Sequence, residues 1–352
     1  MKLFESFFNA LASPELFISL SVVAFIALLR YYRQVSRPGV AAAIGVALAA
    51  FFLIGARNED FLKILSKGDN MPIVIMIFSI GFCLWLSLRQ AAINDMRLER
   101  GEPPMEALES NKKILVWPDL VYPEFIMTVV LSAIFIYWGV AVEAPLEEPA
   151  NPNHTMNPSK APWYFLGLQE MLVYFDPWLA GVVLPGLIVV GLMAIPYIDV
   201  NPLGSGYYTW KQRRFSIGTF CFGFLVLWLS MTIIGTLIRG PGWLWFWPGQ
   251  TWDHHRVVHE VNRDLHAIFG IEGTIGKAIF GGLAVLVFFA LAGGAFHKLF
   301  LKYKADTYAK MNWLQYGLLQ LLMISMIALP TKMVLRLVFN IKYVWVTPWF
   351  NV

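Results

Sequence analysis

The chain has 352 residues, 58% of them hydrophobic and only 14% charged, with a formal net charge of +4 and a mean hydropathy of +0.59. That much apolar surface excludes a soluble globular domain and makes a lipid bilayer the solvent. No nucleic-acid partner is expected, and the two cysteines, Cys83 and Cys221, both fall inside apolar runs as packing residues.

The expected fold class is an all-α integral membrane protein with about eight transmembrane helices plus short interfacial ones. The N-terminal stretch Met1–Ser13 reads as retained, because Glu5 interrupts its apolar run. A spanning helix needs about 20 mostly apolar residues. In chain order such runs lie at Pro14–Leu29, Gly39–Gly55, Met71–Leu88, Phe125–Ala144, Trp178–Ile198, Ser216–Ile238, Gly276–Phe296 and Trp313–Pro330. The stretch Trp163–Phe175 is too short to span and reads as a re-entrant or interfacial helix. The tail from Lys332 to Val352 mixes cations with Leu, Val, Trp and Phe, and reads as an interfacial helix or partner-binding strip.

Lys and Arg set the orientation. Arg30, Arg33, Arg37, Arg89, Arg97, Arg100, Lys112, Lys113, Lys211, Arg213, Arg214, Lys298, Lys302, Lys304 and Lys310 all fall in one set of alternating loops. That face is expected to be cytoplasmic. Both termini and the Gly139–Trp178 loop are then outside, and a bacterial inner membrane is the expected location. Three segments follow: residues 1–110 with three helices, 111–240 with three helices and the long polar loop, and 241–352 with an external loop, two helices and the tail. Gly181, Gly186 and Gly191, with Gly281-Gly282 and Gly293-Gly294, are small residues suited to close helix packing.

The middle segment carries ordered motifs. Trp117-Pro118-Asp119-Leu120-Val121-Tyr122 precedes a helix. Gly139-Val140-Ala141-Val142 follows it, leading through Pro145 to Glu148-Pro149-Ala150-Asn151-Pro152. Then come Pro162-Trp163-Tyr164-Phe165, Leu184-Pro185-Gly186-Leu187, Pro196-Tyr197 and Asn201-Pro202. In this order and spacing the segment resembles the C-terminal half of cytochrome b, the subunit IV of b6f-type quinol oxidases. The resemblance covers about a third of the chain.

It implies a non-haem subunit of a Rieske/cytochrome b-type quinol oxidase that is not catalytic alone. Pro162, Trp163, Tyr164, Phe165 and Leu168 would line an outer-face quinol site. The quinol would be menaquinol, ubiquinol or plastoquinol. Implied partners are a haem b-bearing cytochrome b N-terminal-type subunit, a Rieske 2Fe-2S protein and a c-type cytochrome, in a dimeric complex. The histidines agree with a separate haem carrier: His154, His254, His255, His259, His266 and His297 lie outside the middle of any expected span. A quinone-binding anchor of another respiratory assembly is an alternative. A transporter is disfavoured by the lack of charges in mid-span and of repeated halves.

One departure matters. The family motif has glutamate where this chain has Pro162, and proline accepts no proton. Glu170, at a position not usually acidic in that family, is the candidate proton acceptor in its place. The alternative is a carboxylate facing an aqueous cleft or paired with a partner's arginine. Glu147 and Glu148 read as solvated. Trp163 and Tyr164 are also compatible with an interfacial belt. His255, His259 and His266 have the spacing of one helical face, which fits a metal site or an external amphipathic helix. No acid or cysteine completes a metal site.

Overall fold

The structure, a computed structural model, describes residues 14–68, 70–109, 113–143, 149–200, 209–247, 250–258 and 261–352. The readings for Met1–Ser13, Lys112, Pro145, Glu147, Glu148, Asn201-Pro202 and His259 lie outside the described residues.

The protein is an all-α membrane protein. Its principal helices are α1 (Pro14–Arg30), α2 (Pro38–Gly55), α3 (Glu59–Ser66), α4 (Met71–Glu99), α5 (Val116–Ala141), α6 (Leu166–Met171), α7 (Leu179–Ile198), α8 (Trp210–Ile238), α9 (Thr274–Tyr308) and α10 (Trp313–Phe339). Seven of these are long and apolar enough to cross a membrane: α2, α4, α5, α7, α8, α9 and α10. The eighth expected span, α1, is a helix of 17 residues, about 25 Å long at 1.5 Å per residue and shorter than a hydrocarbon core of about 30 Å. Extended backbone pairing among the described residues is confined to isolated bridges, such as Arg263 with Ile341.

Several helices outrun their apolar stretches. α4 continues past Leu88 to Glu99, and α9 past Phe296 to Tyr308, because helix propensity does not stop where hydropathy does. The expected end at Pro330 is also passed. Proline removes one backbone donor, but the next residue's Thr331 Oγ1 donates to the Ile327 carbonyl at 2.9 Å, and α10 runs on to Phe339. This brings Lys332 and Arg336 into the helix instead of an interfacial tail. The tail proper begins at Asn340, whose left-handed φ of 57° ends α10.

The chain divides into two compact units that cut across the three sequence segments. One comprises Met1–Ala27, Met156–Pro202 and Gly218–Val352; the other comprises Leu28–Thr155 and Leu203–Ile217. The first has a core of Met171, Tyr174, Phe175, Ala180, Leu227, Met231, Leu329 and Met333, where α6, α8 and α10 meet. Small residues permit that approach. A Cβ on Gly235 of α8 would sit 3.0 Å from the Leu166 carbonyl oxygen at the start of α6. Of the glycines noted in the sequence, Gly281 is closed by Trp345, whereas Gly181 and Gly186 face open space.

The second unit centres on Tyr32, Leu88, Ala91, Ala92 and Trp210. A fully buried Asp95 accepts from the Tyr32 hydroxyl at 2.8 Å and from the Lys211 backbone N–H at 3.2 Å. Around it Glu99 pairs with Arg33 at 2.7 Å and with Lys211. α5 buries none of its residues within the chain, as expected of a helix whose surroundings are lipid or another subunit.

Asp95→Ala is expected to lower stability by about 2 kcal/mol, the scale of a lost hydrogen bond to a buried charged group. Glu99→Ala, at the half-exposed rim of the same cluster, is expected to leave the melting temperature near the wild-type value. Thermal unfolding of the detergent-solubilised protein measures both, and equal losses would contradict the assignment of Asp95 as the centre.

Candidate functional site

The Pro-rich loop, in the first unit from Met156 on, passes Pro162, makes a 3-10 turn over Trp163–Phe165 and becomes α6 at Leu166. The apolar pattern of α6 turns Leu166, Gly167, Glu170 and Met171 inward. Glu170 is carried down with them and is fully buried.

The residue that caps the C-terminal end of α8 supplies its counter-ion. The helix widens to i→i+5 hydrogen bonding over Ile234–Ile238, with Arg239 N–H bonding the Ile234 carbonyl at 3.0 Å. The chain then turns out at Arg239-Gly240-Pro241-Gly242-Trp243. Gly242 takes φ +69°, which glycine adopts without cost. Trp243 also takes a left-handed φ, +57°. For a bulky residue that conformation is strained by roughly 1–3 kcal/mol, so something must hold it.

The holding contacts converge on Glu170. Arg239 Nη2 donates to Oε1 at 2.7 Å and Nε to Oε2 at 3.0 Å, a two-pronged pair. Tyr174 Oη donates to Oε1 at 2.9 Å, and Trp243 Nε1 to Oε2 at 3.1 Å. Arg239 Nη1 donates back to the Trp243 carbonyl at 2.9 Å, and the guanidinium lies 4.7 Å from the Trp245 ring centre. Burial first, then the Glu170 charge, pushes the Tyr174 phenol well above its usual range, so it stays a donor. Glu170 therefore faces no aqueous cleft. It is paired, with this chain's own Arg239.

The loops are stitched over this pair. Asn157 Nδ2 donates to the His254 and Arg256 carbonyls at 2.9 and 3.0 Å, and its Oδ1 accepts from Gly242 N–H. Lys160 Nζ donates to the Thr236 carbonyl at 2.8 Å. Gln169 ties Ala161 and Ser159 back to α6. An open cavity of about 390 Å³ lies here, lined by Asn157, Pro158, Ser159, Gln169, Leu172, Val173, Gly242 and Trp243. Trp243 thus has its indole N–H on Glu170 while it also lines the cavity.

Pro162, Trp163, Tyr164, Phe165 and Leu168 do not line this cavity. Tyr164 and Phe165 are about half-exposed, with ring centres 4.7 Å apart. The helical reading of the histidine run is corrected over its described residues. Residues 251–258 form a non-helical loop in which His254 Nδ1 lies 3.0 Å from the Asn157 carbonyl, because Asn157 takes up the backbone carbonyls that a helix would use. His266 sits apart in the turn Leu265–Ile268. Among the described residues, no cluster of His, Cys, Asp and Glu is set to hold a metal ion. Arg239 and Trp243 were missed by sequence reading. The available signal was a lone arginine closing a span on the less basic face, directly before Gly-Pro-Gly-Trp.

Arg239→Met is expected to cost about 3–5 kcal/mol, because it strands a buried carboxylate. Glu170→Met/Arg239→Met is expected to cost less than Arg239→Met alone, since no charge is left without its partner. Thermal unfolding of the two proteins decides this; a double variant less stable than the single would refute the reading of the pair.

Residues 149–246 match the family model described as cytochrome b (C-terminal)/b6/petD. The cytochrome c subunit of a menaquinol:cytochrome c reductase from Geobacillus thermodenitrificans is 31% identical over 96 residues, which cover 26% of this chain and 38% of that protein. The chain thus spans under two fifths of the length of that relative. No solved structure matches. The family match takes in Pro162–Phe165, Leu184–Leu187 and Pro196-Tyr197 of the sequence motifs, whereas Trp117–Tyr122 and Gly139–Val142 fall before it. Glu170, Tyr174, Arg239 and Trp243 all lie within the matched segment, so the part of this chain that resembles the cytochrome b C-terminal half is also the part that builds the buried pair.

Proposed function

We propose that this chain is a membrane subunit of a quinol:cytochrome c oxidoreductase complex of Rieske/cytochrome b type, and that it acts only within that complex. The observation that carries this reading is the coincidence of the family match at 149–246 with the segment folded around Glu170 and Arg239. The similarity to a subunit of a menaquinol:cytochrome c reductase favours menaquinol as the substrate. In this reading the b haems belong to a cytochrome b N-terminal-type subunit, and a Rieske 2Fe-2S protein and a c-type cytochrome take the electrons, in a dimeric complex. The cation-rich loops face the cytoplasm of a bacterial inner membrane, and α1 crosses it as an eighth, shorter span, which puts the Pro162–Trp178 segment and both termini outside.

Within this proposal Pro162, Trp163, Tyr164, Phe165 and Leu168 line the quinol site, with the half-exposed rings of Tyr164 and Phe165 offered to the quinol head group. Glu170 is a positioning residue instead of the proton acceptor. Both its oxygens are already hydrogen-bonded, and it fixes the depth of α6 and hence the attitude of the aromatic turn before it.

Purification of the tagged chain from native membranes tests the reading. The expected result is b-type haem in the reduced-minus-oxidised spectrum of the complex, menaquinol-dependent reduction of cytochrome c, and no haem on the chain produced alone. A haem-free assembly, or stoichiometric haem on the isolated chain, would overturn it. In the active complex, Tyr164→Ala and Phe165→Ala are each expected to raise KM for quinol about fivefold, equivalent to about 1 kcal/mol of aromatic contact.

A further inference from the structure

Two cations are buried near the end of α10, away from the Glu170 pair. Lys332 and Arg336, one turn apart, are 4% and 6% exposed. Three elements cover them: the turn at Phe175-Asp176, the segment around Asp264–Ile268, and the tail from Ile341. The last two are tied together by Arg263 N–H to the Asn340 carbonyl, Lys342 N–H to the Arg263 carbonyl and Leu265 N–H to the Tyr343 carbonyl, at 3.1, 2.8 and 2.8 Å.

Lys332 Nζ lies 5.8 and 5.9 Å from the ring centres of Phe175 and Tyr343 and makes no hydrogen bond among the described residues. The Nδ1 of buried His266 makes none either. Through space, Asp264 attracts Lys332 and Arg336 repels it. Tyr343 is held protonated, chiefly by burial and then by the charges of Asp176 and Asp264. An aromatic face offers an ammonium roughly 0.5–2 kcal/mol, whereas removing it from water costs several kcal/mol. The two rings alone therefore do not account for a lysine here. Buried polar atoms without protein partners are ordinarily met by internal water, and an ionisable residue inside a membrane helix is a functional candidate by default.

One three-residue turn joins this cluster to the Glu170 site. Tyr174 donates to Glu170, the Phe175 ring faces Lys332, and Asp176 accepts from Asn351 Nδ2 at 3.4 Å. We propose that Lys332 and His266, bridged by internal water and flanked by Tyr343 and Asp264, form a way-station for protons leaving the quinol site toward the outer surface. This rests on the quinol reading above. When the quinol O–H bond breaks, its electrons pass to the one-electron acceptors of the partner subunits, an iron–sulfur centre and a haem. The Lys332 ammonium first gives one of its protons, through its water, to the His266 imidazole, which releases a proton to bulk water; the neutral amine left at Nζ then takes the quinol proton in a new N–H bond and is an ammonium again. It fills the place left by Pro162, which holds no proton.

The test uses the whole complex carrying Lys332→Arg, Lys332→Met or His266→Gln. Arginine keeps the charge but does not release a proton. Lys332→Arg and Lys332→Met are both expected to slow quinol oxidation at least about tenfold, at or below the low end of what positioned proton transfer contributes, with an altered pH profile and an unchanged KM. His266→Gln is expected to alter the profile in the same way. Lys332→Arg is expected to keep the wild-type melting temperature, so it carries the test should Lys332→Met not fold. Restoration of rate and pH profile by Lys332→Arg would make Lys332 a structural cation and overturn the proposal, as would wild-type rates in all three. A wild-type complex without quinol oxidation overturns both this proposal and the reading beneath it; unchanged variants in an active complex overturn this one alone.

Discussion

The pairing of Glu170 with Arg239 is the constraint from which the first unit is built. A carboxylate taken wholly out of water is tolerated only when its charge and its lone pairs are met together. Here the fork of one guanidinium, a phenol and an indole do so. Because α6 supplies the acid and the end of α8 supplies the base, the pair fixes how deeply the short helix sits against the spanning one. The glycine contacts between Gly235 and Leu166 make that depth sterically possible. The strained Trp243 backbone is held by what its indole donates to.

The aromatic turn at Trp163–Phe165 inherits its position from this pair. It is a single 3-10 turn on the end of a six-residue helix, too short to hold its own geometry. Its rigidity comes from Gln169, which ties the preceding loop back onto α6, from Lys160, which fastens that loop to the last turn of α8, and from Asn157, which fastens it to the chain beyond α8. A buried charge pair that contributes little net stability by itself thus specifies one arrangement of the surrounding polar loops. The buried carboxylate holds α6 against the end of α8, while the rings of Tyr164 and Phe165 stay about half-exposed. Among the described residues, Lys332 Nζ and His266 Nδ1 are buried without a hydrogen-bond partner. Proline at position 162 is compatible with this arrangement because the first turn of a helix has no use for its missing N–H.

Membrane class, most of the spans and the middle segment's likeness to the cytochrome b C-terminal half were legible from residues alone. Long apolar runs have one physical solution in lipid, the helix with all its backbone bonds internal, so Met71, Trp178 and Trp313 mark helix starts closely. Span ends were less legible. Hydropathy falls where a helix meets headgroups, but hydrogen bonding continues, as at Glu99, Tyr308 and Phe339. The run Trp252–His255 has residues compatible with a helix, and the Asn157 side chain, about a hundred positions away, holds it as a loop.

The sequence by itself determined the solvent, the helical class and the presence of a carboxylate near an aromatic turn, because each follows from local composition. Tertiary structure alone decided what that carboxylate is paired with. Arg239 lies 69 positions from Glu170, beyond any helical or loop periodicity, and only the approach of α6 to α8 brings them together. The same holds for Lys332, which reads as an interfacial cation until α10 passes Pro330 and the tail folds back over it. Charge is written locally, but whether a charge meets water, a partner or a ring is settled by segments distant in the chain.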